Sequence, residues 1–149
     1  MEQVQVTPKL TDARNDDDYI IFIDDDAHYF VPLMNAFADI FGHSLRLLHY
    51  HQAADAWDCI MRNLVFNGKL PRLVVSEAFI SNPPHEPVFL PGALMKAYPE
   101  IPIVLFTHHN VENIVELNKR SNHFAAVVAK QHAKNDYAKF ISNIINTLL

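Results

Sequence analysis

The sequence predicts an α/β domain in which one open parallel sheet of five strands carries helices on both faces. Three observations predict it. Short, uninterrupted apolar runs of strand length recur along the chain, segments with a helical period separate them, and the runs end abruptly at polar residues. A strand buried on both faces reads as continuous apolar sequence, and a parallel neighbour can be reached only through a crossover, usually a helix. Strict alternation of the two patterns therefore gives a doubly wound sheet.

Residues 1–18 mix Thr, Pro, Lys, Asp and Asn without an apolar period and end in Asp16-Asp17-Asp18. They bury too little to offset the entropy of ordering and are expected to form a flexible tail, with the domain spanning 19–149. Tyr19-Ile20-Ile21-Phe22-Ile23 is the first strand, stopped by Asp24-Asp25-Asp26. Ala27 to Phe41 is the first helix, with Gly42 as its stop. Ser44 to Tyr50 is a mixed run suited to a sheet edge. In the second helix Trp57, Ile60, Met61, Leu64 and Val65 fall on one face. Leu73-Val74-Val75 is the third strand. A proline-rich loop, Asn82-Pro83-Pro84-His85-Glu86-Pro87, precedes a third helix that Pro91 and Gly92 weaken. Ile103 to Phe106 is the fourth strand, Asn110 caps a fourth helix bearing Val111, Ile114 and Val115, and Ala125 to Ala129 is the fifth strand. The last helix places Phe140, Ile141, Ile144, Ile145 and Leu148 on one face, a core stripe whose edge could help a homodimer.

Composition bounds the function. The 149 residues are 50% apolar and 19% charged, enough for one hydrophobic core and not two. Twelve Lys and Arg against 17 Asp and Glu leave a net charge of -5, so the basic excess that phosphate-backbone binding requires is missing and nucleic acid is not an expected partner. Cys59 is the single cysteine, and the chain opens without a charged segment followed by an apolar one, which fits a cytoplasmic location. No apolar stretch approaches the roughly 20 residues of a spanning helix, so no membrane insertion is expected.

In open α/β sheets the functional crevice lies at the carboxyl ends of the strands. The residues there are Asp24, Asp25 and Asp26 after the first strand, Glu77 after the third, Thr107 after the fourth and Lys130 after the fifth. Each also has a plainer reading. The aspartates could form a solvated turn that caps the first helix, while Glu77 and Lys130 could be surface charges. If the acids converge, Asp24 and Asp25 suit Mg²⁺, which takes few protein ligands and keeps its waters, although Lys130 or Arg72 could stand in for the ion. No cofactor is required. His49 and His51 would share one face of a strand, but without Cys partners or a His-Glu-x-x-His helix zinc is not expected. His108 and His109 read as loop residues open to a partner or to pH. Cys59 reads as a small buried apolar residue.

These strand-end residues resemble those of bacterial response-regulator receiver domains of the CheY-like kind, and the likeness runs from Tyr19 to the C-terminus. Such domains hold magnesium on an acidic pair after the first strand, accept phosphate on an aspartate after the third, and carry a Thr or Ser and a Lys after the fourth and fifth. Asp24 and Asp25 match the acidic pair, Thr107 the hydroxyl and Lys130 the lysine. The 30-residue step from Glu77 to Thr107 and the 23-residue step to Lys130 are near family spacing, whereas the step from Asp25 to Glu77 is several residues long, with the surplus around Phe66 to Leu70. The resemblance implies a flavodoxin-like (βα)5 fold with strand order 2-1-3-4-5. It also exposes a departure, because Leu73-Val74-Val75-Ser76-Glu77 puts Glu where the phosphoacceptor Asp belongs. Other family marks differ too: Gln131 follows Lys130 where Pro is usual, His108 follows Thr107, Ile80-Ser81 replaces Met-Pro, and Val127 occupies the aromatic switch position.

The resemblance therefore implies a degenerate receiver, a non-enzymatic two-component signalling module in which Glu77 reaches Lys130 and imitates the charge of a phosphoryl group. With no room for an output domain here, it would act through a separate protein partner, at the face made by the fourth helix, fifth strand and fifth helix. Two alternatives stay open. A working receiver could take phosphate on Glu77 or another residue, with Asp24, Asp25, Thr107 and Lys130 in family roles. A phosphatase resembling the haloacid dehalogenases could use Asp24 as nucleophile and Asp26 as acid/base, although it would lack a downstream acidic pair for its metal.

Overall fold

The computed structural model describes residues 18–24, 27–41, 45–107 and 124–129. Residues 1–17, Gly42, Asn110, the fourth helix and the apolar stripe from Phe140 to Leu148 lie outside them. In chain order the elements are β1 (Asp18–Ile23), α1 (Ala27–Phe41), β2 (Leu45–Tyr50), α2 (Ala53–Asn67), β3 (Leu73–Ser76), β4 (Ile80–Asn82), β5 (His85–Val88), α3 (Leu90–Ala97), β6 (Ile103–Thr107) and β7 (Ala126–Ala129). Five strands form one all-parallel sheet in the order β2-β1-β3-β6-β7. Since β4 and β5 form a separate two-stranded sheet, this is the expected 2-1-3-4-5 order with an extra hairpin inserted after the third sheet strand.

Burial on both faces explains the apolar strands. Along β1, Tyr19, Ile21 and Ile23 point into one core layer with Ala56, Ile60, Leu90 and Leu94 of α2 and α3. Ile20 and Phe22 point into the other, against Leu33, Met34 and Phe37 of α1. Phe22 meets Phe37 edge to face with ring centroids 5.3 Å apart. That geometry is favourable beyond the area it buries.

Four details correct the sequence reading. The first strand begins at Asp18 and not Tyr19, because Asp18 pairs with Leu45 and its carboxylate meets Lys69 at 3.2 Å and Arg72 at 2.6 Å. Those contacts hold Arg72 at the amino end of the sheet, away from Asp24, so it is not available to replace an ion there. The proline-rich loop is in fact the β4–β5 hairpin, with a cis bond between Pro83 and Pro84 at its tip. The buried stripe of α2 is Ala53, Ala56, Cys59, Ile60 and Asn63, whereas Met61 and Val65 are exposed. Two alanines bring the helix close to the sheet, and Asn63 is tolerated inside because its Nδ2 donates to the Cys59 carbonyl at 2.9 Å.

The third helix does form, as an eight-residue α3. Pro91 lies in its first turn, where a backbone N–H has no intrahelical partner to lose. Cys59 is buried, as expected. The segment carrying the surplus residues begins with a defined stop. Gly68 takes a left-handed φ of 67°, its N–H donates to Leu64 O at 2.9 Å, and the Lys69 N–H donates to Asn63 O at 3.4 Å. The Gly68 bond, running back four residues from a left-handed glycine, is the αL motif that closes a helix. Among the described residues no helix is long and apolar enough to cross a membrane.

Candidate functional site

Parallel register decides which side chains meet. Ile23 pairs with Ser76, and the Glu77 N–H donates to the Ile23 carbonyl at 3.0 Å. Asp24 and Glu77 therefore leave neighbouring strands at the same level. Ser76 pairs in turn with Leu105, so Thr107, the last residue of β6, emerges at the same end of the sheet. Of the five buried polar or charged side chains among the described residues, Asp24, Ser76, Glu77 and Thr107 stand here and only Asn63 stands elsewhere. Buried polar groups are costly unless partnered, so their concentration at one end marks a site and not a random surface.

The hydrogen bonds fix each member. Asp24 is gripped through its backbone: its N–H donates to Tyr50 O at 3.1 Å, and its carbonyl accepts the Nε2–H of His49 at 2.7 Å. Burial holds the His49 imidazole down to a pKa of about 4, helped by the nearby His51 and opposed by the hydrogen bond to Asp24. The ring is thus neutral at pH 7 with its proton on Nε2. His51 packs edge to face on it, centroids 4.4 Å apart, so the two histidines do meet. Ser76 donates its hydroxyl to the Glu77 carbonyl at 2.7 Å. Glu77, only 4% exposed, folds back so that Oε1 accepts the N–H of Ala78 at 2.6 Å.

Asp24, Glu77 and Thr107 are thus brought to one end of the sheet, as the strand ends implied. Asp25, Asp26, His108, His109 and Lys130 lie outside the described residues. Val127, to which the family resemblance assigned the switch position, is half-buried in β7 opposite Leu105 and packs against the core layer of α2 and α3. Sequence reasoning missed two members. Ser76 is the one polar residue of β3, which was a usable sign; the grip of His49 on Asp24 acts on a carbonyl and left no mark in the residue pattern. The donor set at Asp24 and Glu77 is oxygen only, as a hard divalent cation such as Mg²⁺ requires. Among the described residues no group of three His, Cys, Asp or Glu side chains is placed to hold a metal ion.

No family model matches the chain, and no curated protein matches it in sequence. Solved structures do match. The response regulator RcsB of Salmonella typhimurium, studied for its conformational dynamism in DNA interaction, superposes with a TM-score of 0.64 at 15% identity over 87% of this chain. The chain spans 60% of that protein's length. A receiver domain protein from Clostridium thermocellum gives a TM-score of 0.60 at 17% identity, covering 87% of this chain and 94% of its own. The phosphorylated cyanobacterial phytochrome response regulator RcpA gives 0.68 at 12% identity, covering 88% and 93%. At such identities the likeness establishes the fold: this chain has the flavodoxin-like α/β fold of response-regulator receiver domains.

Proposed function

We propose that this protein is a pseudo-receiver, a two-component-type signalling module that works by binding another protein and does not cycle through aspartyl phosphate. The observation that carries the reading is Glu77, buried at the end of β3 with its carboxylate committed to the Ala78 N–H. A glutamate carboxylate stands about 1.5 Å further from its backbone than an aspartate's. Misplacement by about 1 Å costs on the order of a hundredfold in an oriented reaction. To attack a phosphodonor, Glu77 would also have to give up a charge-assisted hydrogen bond and its cover from solvent. The site around it keeps Asp24 and Thr107, which supports descent from a phosphorylatable arrangement.

In this reading Glu77 is a fixed anion where phosphorylation would install one, with Lys130 as the cation it addresses. Mg²⁺ is not required; if bound, Asp24 with Asp25 would hold it and neutralise part of the acidic cluster. Partner binding falls on the face of the fourth helix, fifth strand and fifth helix, of which β7 is the described part. No enzymatic activity is assigned, the site of action is cytoplasmic, and the net charge of -5 argues against direct contact with nucleic acid.

Intact-mass analysis after incubation with a small-molecule phosphodonor and Mg²⁺ tests the proposal, run beside Glu77→Asp and Glu77→Gln. The expected result is no phosphate on the native chain and a gain in Glu77→Asp. Phosphorylation of the native chain that disappears in Glu77→Gln would overturn it and make this a working receiver with an unusual acceptor.

A further inference from the structure

β2 is an edge strand of the sheet, and its carboxyl end carries two histidines whose pairing the strand-end acids do not explain. His49 is half-buried, and His51, the first residue after β2, is exposed. Their rings meet edge to face with centroids 4.4 Å apart. Hydrogen bonding fixes the tautomer of the inner one. Because Nε2 of His49 carries the proton donated to the Asp24 carbonyl at 2.7 Å, the lone pair of that neutral ring sits on Nδ1. Histidines that bind metals almost always donate their other ring N–H in this way, to a carbonyl, carboxylate or water, which orients the ring and makes the ligating nitrogen more basic.

We propose that Nδ1 of His49 and a ring nitrogen of His51 form a two-histidine site for a late first-row divalent metal ion, of the class Cu²⁺, Ni²⁺ and Zn²⁺. Metal–nitrogen bonds of about 2.0–2.1 Å place the centroids of two imidazoles on one ion about 4.5–5.2 Å apart at square or tetrahedral angles. The two rings stand just below that spacing, and the exposed His51 can turn about its broad χ2 to aim a nitrogen at the ion. Imidazole suits these metals, whereas Mg²⁺ takes oxygen, so the site differs in kind from the oxygen set at Asp24 and Glu77. The acidic run that starts at Asp24, the residue His49 holds, adds a field that favours a cation. Closed zinc sites have four protein ligands and catalytic ones three; two leave the remaining positions to water, so the ion exchanges freely through the open sheet edge. An ion on Nδ1 also draws electrons from the ring and strengthens the Nε2–H bond to Asp24, so occupancy tightens the first residue of the acidic loop. Glu77 takes no part, and the site stands without the pseudo-receiver reading.

Calorimetric titration of the full chain with Cu²⁺, Ni²⁺ or Zn²⁺ in excess Mg²⁺ tests this. The expected result is one site per chain, tightest for Cu²⁺ and indifferent to Mg²⁺. His51→Gln changes an exposed residue, and His49→Gln keeps an N–H for the Asp24 carbonyl while removing the ring nitrogen, so both variants should fold. Losing even a hydrogen-bond partner of a ligand costs about 10–100-fold in metal affinity, so each variant should bind at least about tenfold more weakly. The copper EPR spectrum of the native chain should show coupling to two imidazole nitrogens and lose it in either variant. Nine histidines are present in the chain, and weak binding by the others, which persists in both variants, sets the baseline. The absence of a site above that baseline, a site kept in either variant, or displacement of the ion by Mg²⁺ would each overturn the proposal.

Discussion

The Nε2–H of His49 donates to the carbonyl oxygen of Asp24 at 2.7 Å, so the sheet-edge strand β2 holds the first residue of the acidic loop by its backbone. Because the buried ring has a pKa of about 4 against an ordinary 6.5, protons bind the unfolded chain more readily than the folded one between those values. The His49 contribution to stability is therefore complete above pH 6.5 and lost as the pH falls through about 4. Urea midpoints measured across this window should fall with acidification in the native chain and fall less in His49→Gln. His49→Ala, which strands the Asp24 carbonyl, should cost about 1–3 kcal/mol at pH 7.

Glu77 offers a second contrast. Its Oε1 accepts the Ala78 N–H, and an amide oxygen at the same place can accept it as well. Glu77→Gln should thus melt close to the native chain, whereas Glu77→Ala leaves a buried N–H without its acceptor and should lose about 1.5–3 kcal/mol by chemical denaturation. Equal losses in both variants would show that charge, and not the local bond, holds the side chain in place.

Gly92 lies in the first turn of α3 under the ring of Phe89, where an added Cβ would come 2.7 Å from Phe89 Cδ2. Glycine to alanine within a helix ordinarily stabilises by about 1 kcal/mol. Here the sign should reverse, and Gly92→Ala should lower the melting temperature until Phe89→Leu is added. The same ring contacts Phe79 and Phe124, with centroids at 5.6 and 6.2 Å, so the clash would also disturb the base of the hairpin.

Burial pushes the Cys59 thiol above its usual pKa, only partly offset by the Tyr50 hydroxyl and nearby arginines. A thiol that is both covered and protonated reacts slowly. Labelling by an aromatic disulfide at pH 8 should be at least a hundredfold slower than in urea, about the factor that local opening of a stable core allows. Fast labelling of the native chain would mean that α2 leaves the sheet readily.

Much of this architecture was legible in the residues. α1 runs from Ala27 to Phe41 as read, because Asp24-Asp25-Asp26 and Gly42 bracket an amphipathic segment. The sheet strands were legible because burial on both faces leaves no room for polar residues. The hairpin was not, since β5 is His-Glu-Pro-Val, mostly exposed, and β4 has three residues with an irregular register between Ile80 and Asn82. Pairing there follows from the turn and from a bridge between Ser81 and Gln52, neither of which has a period. On α2 the apolar count chose Met61 and Val65 over Ala56 and Asn63, because small size and a satisfied amide bury a residue as well as hydrophobicity does. At the site, strand-end position identified Asp24, Glu77 and Thr107, while a contact made through a carbonyl stayed hidden.

β1 sits between β2 and β3, so both of its edges are completed by strands that come later in the chain. Until they are synthesised, Tyr19-Ile20-Ile21-Phe22-Ile23 emerges as a bare, strongly β-forming segment of the kind that pairs with copies of itself. Asp16, Asp17 and Asp18 stand immediately before it and Asp24, Asp25 and Asp26 immediately after. Charges in those places act as gatekeepers, since stacking two such segments in register would stack six carboxylates on six. Asp24, which in the folded chain stands at the strand-end site, thus first helps keep the newborn strand from aggregating.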